Sequence, residues 1–306
     1  RDVRGGMTAV MAASAAGRRV ALPEAAASRC ALVTGARLLP AGDLLSLCAV
    51  LRGQAEAPTV DAPAIDAEEA APDLRDVIGQ RVARRALEIA AAGGHNLLLC
   101  GPPGTGKSLL ASCLPGILPP AGPQERLVMY ALQDLGGEPL MSARRPFRCP
   151  HHSASAAALI GGGALPRPGE ASLAHGGVLF LDELPEFPRH ALDMLREPLE
   201  TGEIRLARAR CRIRYPARFQ LVGAMNPCPC GFAGDEARRC RCSDAERRRY
   251  AGRVSGPLLD RMDLQLRVAR EENLDLFSAG EAESSAAVLA RTSDARQRQL
   301  ARQGLS

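Results

Sequence analysis

The sequence predicts an α/β fold with a parallel sheet, and three observations support that prediction. Short apolar runs, of which 96–100, 178–181 and 219–224 are the clearest, alternate with segments of helical periodicity. A glycine-rich loop follows the first run, and two carboxylates follow the second. This alternation is typical of a parallel α/β sheet, with the two carboxylates at the C-terminal end of a buried strand.

Composition limits the class of protein before any motif is considered. With 306 residues, 46% of them hydrophobic and 24% charged, the chain is long and apolar enough for about two domains with buried cores. Its ten cysteines are too sparse for a secreted disulfide scaffold, and no apolar run approaches the ~18 residues that cross a bilayer. We therefore expect a cytoplasmic protein with no membrane partner. The net charge of +5 is too small to indicate nucleic acid by itself.

The chain divides into four predicted regions. Residues 1–53 alternate between helical and strand patterns, which predicts a small α/β piece. Residues 54–72 are rich in Ala, Pro, Asp and Glu and lack an apolar period, which is typical of a linker. Residues 73–269 carry the predicted sheet, and residues 270–306 are polar and helical. The Ala-rich start favours an ordinary helix over an export signal, and we expect both ends to lie inside domains.

A phosphate-binding loop is predicted directly after the first apolar run. Residues 101–108 read GPPGTGKS and fit the pattern G-x-x-x-x-G-K-[ST], with a helical segment following at 109–114. Backbone N–H groups and a helix N-terminus form a cradle for phosphate in such a loop, whereas the competing interpretation is a plain turn. Lys107, the one lysine among 39 basic residues, is expected to neutralise the β and γ phosphates of ATP, and Ser108 to hold Mg²⁺. The predicted nucleotide-binding residues of this loop are Gly101, Pro102, Pro103, Gly104, Thr105, Gly106, Lys107, Ser108 and Leu109.

Polar side chains also follow the other two apolar runs. Asp182 and Glu183 come after 178–181, and we expect Asp182 to reach the Mg²⁺ shell and Glu183 to polarise the attacking water. Asn226 comes shortly after 219–224, where a neutral amide beside the phosphate loop is expected to orient that water. The competing interpretations are acidic residues at a helix start and a turn Asn before Pro227.

Several segments together resemble the magnesium-chelatase-like ComM/YifB family of AAA+ ATPases. Besides the phosphate loop, the resemblance is carried by 77–80, 95–98, 145–152, 161–163, 168–175, 180–184, 225–231 and 255–263. The resemblance implies an AAA+ P-loop core with ATP bound at the subunit interfaces of a ring, a hexamer. It also implies a helicase that promotes branch migration of DNA during natural transformation and recombination.

The resemblance assigns roles that residue spacing does not. Ile78 and Gly79 would lie beside the adenine, and Arg261 would be the arginine finger that enters the neighbouring subunit's site, unless it pairs locally with Asp260 or Asp263. Residues 1–53 resemble the C-terminal part of a Lon-protease-like (S5-type) domain. That segment contains no lysine, so no Ser–Lys peptidase dyad is expected there. Residues 270–306 would be the truncated start of the family's helical lid.

Two segments are predicted to contact DNA without sequence specificity, whether the DNA is branched or single-stranded. In the family, 146–174 is an insertion facing the central pore, where His151 and His152 would contact the DNA backbone; metal binding by the pair and a packed loop are the alternatives. Residues 203–218 read as a hairpin with a high density of arginine, which suits phosphate binding, although a solvated basic face is the competing interpretation. The arginines of this hairpin are Arg205, Arg208, Arg210, Arg212, Arg214 and Arg218.

Four cysteines form two C-x-C pairs separated by nine residues. Cys228, Cys230, Cys240 and Cys242 on one short loop could close a structural zinc site, while reduced free thiols are the alternative. A disulfide pair is disfavoured in the cytosol.

Three functions remain open at the level of the sequence. The first is an ATP-driven DNA motor, favoured by the Lon-like segment and the cysteine loop. The second is the ATPase subunit of a magnesium-chelatase-type complex that inserts metal into a porphyrin, since the two families share the core. The third is a regulatory scaffold that binds ATP and hydrolyses it poorly.

Overall fold

The computed structural model describes residues 3–63, 72–138, 144–163, 166–208, 211–235, 237–270 and 282–304. Its backbone separates into two compact units, one formed by residues 1–68 and 122–143 and the other by residues 69–121 and 144–306. The predicted linker 54–72 has no helix or strand in its described part, 54–63 and 72. No helix within the described ranges is both long and apolar enough to span a membrane.

Both units combine helices with strands, as expected for an α/β fold. The helices are α1 Gly6–Ala15, α2 Glu24–Cys30, α3 Leu44–Leu51, α4 Arg81–Gly93, α5 Lys107–Cys113, α6 Pro123–Gly136, α7 Ala156–Ile160, α8 Glu170–Leu173, α9 Arg189–Asp193, α10 Arg196–Thr201, α11 Asp244–Ala251, α12 Gly256–Leu259 and α13 Ser285–Arg302. The strands are β1 Arg19–Pro23, β2 Arg37–Ala41, β3 Leu97–Cys100, β4 Phe147–Arg148, β5 Gly161–Gly162, β6 Arg167–Pro168, β7 Val178–Leu181, β8 Glu203–Arg208, β9 Cys211–Pro216, β10 Gln220–Met225 and β11 Leu264–Arg267. Single 3₁₀ turns occur at Leu74–Asp76, Leu114–Ile117 and Leu184–Glu186.

The first unit contains the alternating helices and strands predicted for residues 1–53. Strands β1 and β2 pair in parallel, and helices α1 and α2 cover them. Helix α6 comes from a later part of the chain, 123–136, yet its Tyr130 lies in the same apolar cluster as Met7, Val10 and Cys30. A buried hydrogen bond from the backbone N–H of Met7 to Asp134 Oδ2, 3.1 Å long, also joins α6 to α1. The predicted range 73–269 therefore includes one helix that packs with the first unit.

The second unit is built on a five-stranded parallel sheet in the order β11-β3-β10-β7-β4. The three runs predicted as strands are β3, β7 and β10, and they lie next to one another with β10 in the middle. Their apolar side chains are buried because helices cover this part of the sheet, except that Cys100 and Met225 at the ends of β3 and β10 are half-buried. The parallel arrangement brings the carboxyl ends of β3, β10 and β7 to one edge of the sheet.

Two further elements of this unit were predicted. Strands β8 and β9 form the antiparallel hairpin expected at 203–218, with Arg205 opposite Arg214 and Ala207 opposite Arg212. Helix α13 provides the helical pattern expected at 281–302 from residue 285 onward, while residue 281 lies outside the described ranges. Thr292 of α13 is buried and donates a 2.8 Å hydrogen bond to the carbonyl of Ile117, so the helix packs on the core of this unit.

Candidate nucleotide site

The loop 101–108 connects β3 to α5 and needs glycine for two different reasons. Gly104 and Gly106 have φ angles of 79° and 80°, in the left-handed region that side chains with a Cβ rarely adopt. Gly101 is required by space, because a Cβ there would lie 2.1 Å from the carbonyl oxygen of Val268, the residue after β11. The loop is therefore shaped by its backbone and by its contact with the edge strand.

Lys107 is buried at the start of α5, with 9% of its surface exposed. Its Nζ donates to the carbonyl oxygens of Gly101 and Pro102, each at 2.8 Å, and lies 3.3 Å from Oδ1 of Asn226. Burial lowers the pKa of Lys107, and the nearby carboxylate of Asp182 opposes that shift. The ammonium therefore lies inside the loop and next to the amide of the residue that follows β10.

Ser108 and Asp182 are in direct contact. The hydroxyl of Ser108 donates a 2.7 Å hydrogen bond to Oδ2 of Asp182, and Oδ1 of Asp182 accepts a 2.9 Å bond from the backbone N–H of Glu183. A hydroxyl and a carboxylate are oxygen ligands of the kind that Mg²⁺ prefers. The donor set beside the phosphate loop therefore fits a magnesium ion.

Glu183 contacts a histidine that was predicted to bind DNA. Glu183 is one of two non-glycine residues with positive φ in the described ranges, at 50°, and its Oε2 lies 3.0 Å from Nδ1 of His152. The rings of His151 and His152 are 4.0 Å apart between centroids, and Nδ1 of His151 lies 2.8 Å from Oγ of Ser153. The two histidines therefore have different partners, and His152 lies beside Glu183 at the candidate nucleotide site.

The position of His152 follows from the pairing of β4 with β7. Phe147 lies opposite Val178 and Arg148 opposite Leu179, so the residues after β4 run beside the residues after β7. A strand of two residues has no readable period of its own, which is why the sequence did not reveal this contact. The feature of the sequence that could have indicated this contact is the pair of histidines, His151 and His152, shortly after Phe147.

Arg261 has a partner within its own chain. It follows α12, its side chain is 25% exposed, and its guanidinium forms an ion pair with Glu200 and donates to the carbonyl of Pro257. The local partners considered from the sequence were Asp260 and Asp263, and the structure gives Glu200 instead. Asp263 accepts a 2.7 Å hydrogen bond from the backbone N–H of Asn96.

The predicted adenine side of the site lies just before α4. Ile78 and Gly79 are half-buried, and Gly79 has a φ of 67°. Gln80 follows with a φ of 48° and donates a 2.8 Å hydrogen bond to the carbonyl of Ala269. These features fix the turn, and the role of Ile78 and Gly79 beside adenine stays a prediction.

The hairpin β8–β9 has one apolar face and one basic face. Ile204, Leu206 and Tyr215 are buried, and the hydroxyl of Tyr215 donates a 2.8 Å hydrogen bond to the carbonyl of Pro166. The opposite face carries arginines whose side chains are exposed. They are Arg205, Arg212 and Arg214.

Two other arginines of the hairpin were also predicted to contact DNA. Arg208 is the last residue of β8, and Arg210 lies outside the described residues. Glu203 lies 3.5 Å from Arg205 and 3.9 Å from Arg214, so one carboxylate partly compensates the basic face.

The four predicted zinc ligands lie together in the loop between β10 and α11. The sulfur atoms of Cys228, Cys230, Cys240 and Cys242 are all within 4.8 Å of one another. The backbone N–H of Cys242 also points at the sulfur of Cys240, 3.4 Å away.

Comparison with known proteins connects this geometry to a family. The model of the family described as magnesium chelatase, subunit ChlI, matches residues 73–276. The uncharacterized protein YifB of Salmonella typhimurium is 48% identical over 99% of this chain and 60% of its own length. Competence protein ComM of Haemophilus influenzae is 45% identical over 99% of this chain and 61% of its own length. The magnesium-chelatase 38 kDa subunit of Cereibacter sphaeroides is 28% identical over 49% of this chain and 51% of its own. The chain thus spans about 60% of the length of the first two curated relatives.

Proposed function

Because this chain belongs to the magnesium chelatase subunit ChlI family, we propose that it hydrolyses ATP between the subunits of a ring and uses the energy to move on DNA. One observation supports the ATPase part above all others. Lys107 and Ser108 begin the helix after β3, Asp182 follows β7 and Asn226 follows β10, three neighbouring strands. Hydrogen bonds join Lys107 to Asn226 and Ser108 to Asp182. This constellation suits phosphoryl transfer to water.

Each side chain of the site has a distinct task in the proposed reaction. Lys107 would bind the β and γ phosphates, replacing its present carbonyl partners with phosphate oxygens. Ser108 and Asp182 would hold Mg²⁺, which when bound neutralises phosphate charge. Glu183 would accept a proton from the attacking water, and Asn226 would orient that water through its amide.

The DNA part of the proposal is supported by the basic face of the hairpin and by the similarity to a protein named competence protein ComM. Exposed guanidinium groups on a rigid ribbon bind phosphates without reading bases. In a hexameric ring, Arg261 would leave Glu200 and enter the neighbouring nucleotide site, where its charge would stabilise the γ-phosphate. Branch migration is the form of movement that we propose.

The experiment that tests the function measures ATP hydrolysis with and without branched DNA, at several salt concentrations. We expect DNA to stimulate hydrolysis, the stimulation to fall as salt rises, and both hydrolysis and stimulation to disappear in the Glu183→Gln and Arg261→Ala variants. Hydrolysis that is robust and indifferent to DNA at every salt concentration would contradict the DNA motor.

The hairpin provides a prediction about DNA affinity. Replacing Arg205, Arg212 and Arg214 together with alanine removes three exposed charges from one face. We expect weaker DNA binding and a plot of log affinity against log salt that is shallower by about three, because each phosphate contact contributes about 0.9 to that slope. Fluorescence anisotropy with a labelled DNA duplex measures both quantities.

A matched control removes the same charge from another surface. Arg296, Arg298 and Arg302 are exposed on α13, and their triple alanine variant has the same net charge as the hairpin variant. If the slope of log affinity against log salt falls equally in both variants, overall charge and not the hairpin governs DNA binding.

His152 gives a prediction about the rate of hydrolysis. Because β4 lies beside β7 on the side away from β10, we propose that the contact with His152 holds the carboxylate of Glu183 away from Lys107 and Asn226. We expect His152→Ala to raise the DNA-independent kcat, with KM for ATP unchanged. The expected gain in kcat is about fivefold if the half-exposed contact between His152 and Glu183 contributes about 1 kcal/mol.

Two further variants separate this effect from a general disturbance of the loop. His152→Asn keeps an N–H donor and should restore the lower kcat, whereas His151→Ala removes the ring that contacts Ser153 and should not reproduce the gain. A fall in kcat in the His152→Ala variant would show that the contact assists Glu183.

A second candidate function is supported by the family model and by the similarity to the magnesium-chelatase 38 kDa subunit. In that case ATP hydrolysis would drive metal insertion into a porphyrin. The DNA-stimulation experiment distinguishes the two, since a chelatase subunit has no reason to respond to branched DNA.

A further inference from the structure

The loop between β10 and α11, residues 226–243, brings together four thiols that take no part in the proposed ATPase. Three of the six sulfur–sulfur distances are 3.4 Å for Cys228–Cys230, 3.6 Å for Cys228–Cys240 and 3.6 Å for Cys230–Cys240. Cys242 completes the group, in which no sulfur is more than 4.8 Å from another. All four cysteines are free of disulfides.

These distances match a metal site better than a disulfide pair. A disulfide requires about 2.05 Å between sulfurs. Four thiolates around Zn²⁺ at about 2.3 Å lie at the corners of a tetrahedron whose edges are about 3.8 Å long. The three separations given are slightly shorter than those edges and the other three are at most 4.8 Å, so modest shifts would let the sulfurs surround one ion.

The loop also lacks an apolar core that would hold it in this conformation. Among its described residues, 226–235 and 237–243, Cys228 and Gly231 are the buried ones, and neither helix nor strand is formed. A metal cross-link stabilises such a segment where burial of apolar surface does not. Cys228 is fully buried, so its sulfur is available to the other three cysteines and not to solvent.

We propose that Cys228, Cys230, Cys240 and Cys242 bind one Zn²⁺ ion, and that this ion holds the loop against the phosphate loop. With four sulfur ligands the coordination shell is closed, so the site is structural and has no catalytic position. The same chemistry would accept Co²⁺ or Cd²⁺ as a substitute for Zn²⁺.

The second part of the proposal rests on contacts of the cysteine loop with its surroundings. A Cβ on Gly231 would lie 2.7 Å from Cδ of Pro103, so the two loops touch at that point. Arg267 donates to the carbonyl of Gly234 at 3.0 Å, and Arg270 lies 4.0 Å from Asp235. Asn226 is the first residue of this loop, so an ordered loop would also fix the amide that contacts Lys107.

The first test measures metal content without reference to ATP. Protein purified from zinc-supplemented cells is analysed by elemental mass spectrometry, and we expect about one zinc ion per chain, released when the thiols are blocked. Replacing zinc with Co²⁺ should give the intense visible absorption of a tetrahedral thiolate site. Protein that contains no zinc and gives no such spectrum with Co²⁺ would overturn the proposal.

Variants then locate the site. Cys240→Ser and Cys242→Ser should each reduce the zinc content to near zero, whereas Cys149→Ser, which removes an exposed cysteine outside the cluster, should leave it at one per chain. If a cluster variant does not fold, alkylation of the wild-type protein tests the site instead. We expect the four cysteines to be protected from alkylation until a chelator removes the metal. Equal alkylation with and without chelator would contradict the site.

Discussion

Glu183→Gln is expected to lower kcat for ATP hydrolysis by about 10²- to 10⁴-fold, the range that general-base catalysis contributes. Glutamine has nearly the shape of glutamate but does not accept a proton from water. The affinity for ATP should remain within a fewfold of the parent value, because the phosphate contacts belong to Lys107 and the loop. Steady-state hydrolysis and equilibrium binding of labelled ATP measure the two quantities separately.

A nearby acid supplies the control. Glu186 lies three residues on, is partly exposed, and pairs with Arg253 at 2.7 Å. A surface pair of this kind contributes about 0–1 kcal/mol, so Glu186→Gln should hydrolyse ATP at close to the parent rate. Equal losses in the two variants would mean that Glu183 has no special role as a base.

The second large effect is expected at Lys107. Both Lys107→Ala and Lys107→Arg should weaken ATP binding by about a hundredfold, since a hydrogen bond to a charged group contributes about 1.5–3 kcal/mol. Arginine keeps the charge but replaces a compact ammonium with a planar fork. The buried position inside loop 101–108, where the ammonium contacts two carbonyls of its own loop, does not accommodate that fork.

Calorimetric titration with ATP measures this loss, and thermal unfolding shows that the variants remain folded. Arg75→Ala serves as the matched loss of an exposed cation in the same unit and should bind ATP normally. If Lys107→Arg bound ATP as tightly as the parent, charge alone would account for the role of Lys107.

Local patterns were sufficient to predict which groups come together at the candidate site. The glycine-rich loop, the strand before it and the carboxylates after β7 depend on short stretches of chain, and the rule that parallel strands end at one edge brings them together. The hairpin was predicted for the same reason, because its two strands are adjacent in sequence. The cysteine spacing likewise indicated where four sulfurs would gather.

The contacts that sequence reasoning missed all join distant residues. The pairing of β4 with β7 places His152 on Glu183, and no feature of a two-residue strand specifies that pairing. The partner of Arg261 is Glu200, 61 positions earlier, whereas the partners considered from the sequence were the neighbouring Asp260 and Asp263. Helix α6 packs with α1 although more than 100 residues separate them, since its apolar side chains complete a core that the first 53 residues do not fill.

Hydrogen bonds of Asn96 join the start of β3 to the chain segment just before β11. The side chain of Asn96 donates to the carbonyl of Arg261 at 2.9 Å, and its backbone N–H donates to Asp263. Asn96 directly precedes β3, which leads into the phosphate loop, so one strand and two hydrogen bonds connect that loop to the segment that contains the residue proposed to serve the next subunit. In the proposed ring, this connection would give a nucleotide-dependent shift of the phosphate loop a direct path to Arg261.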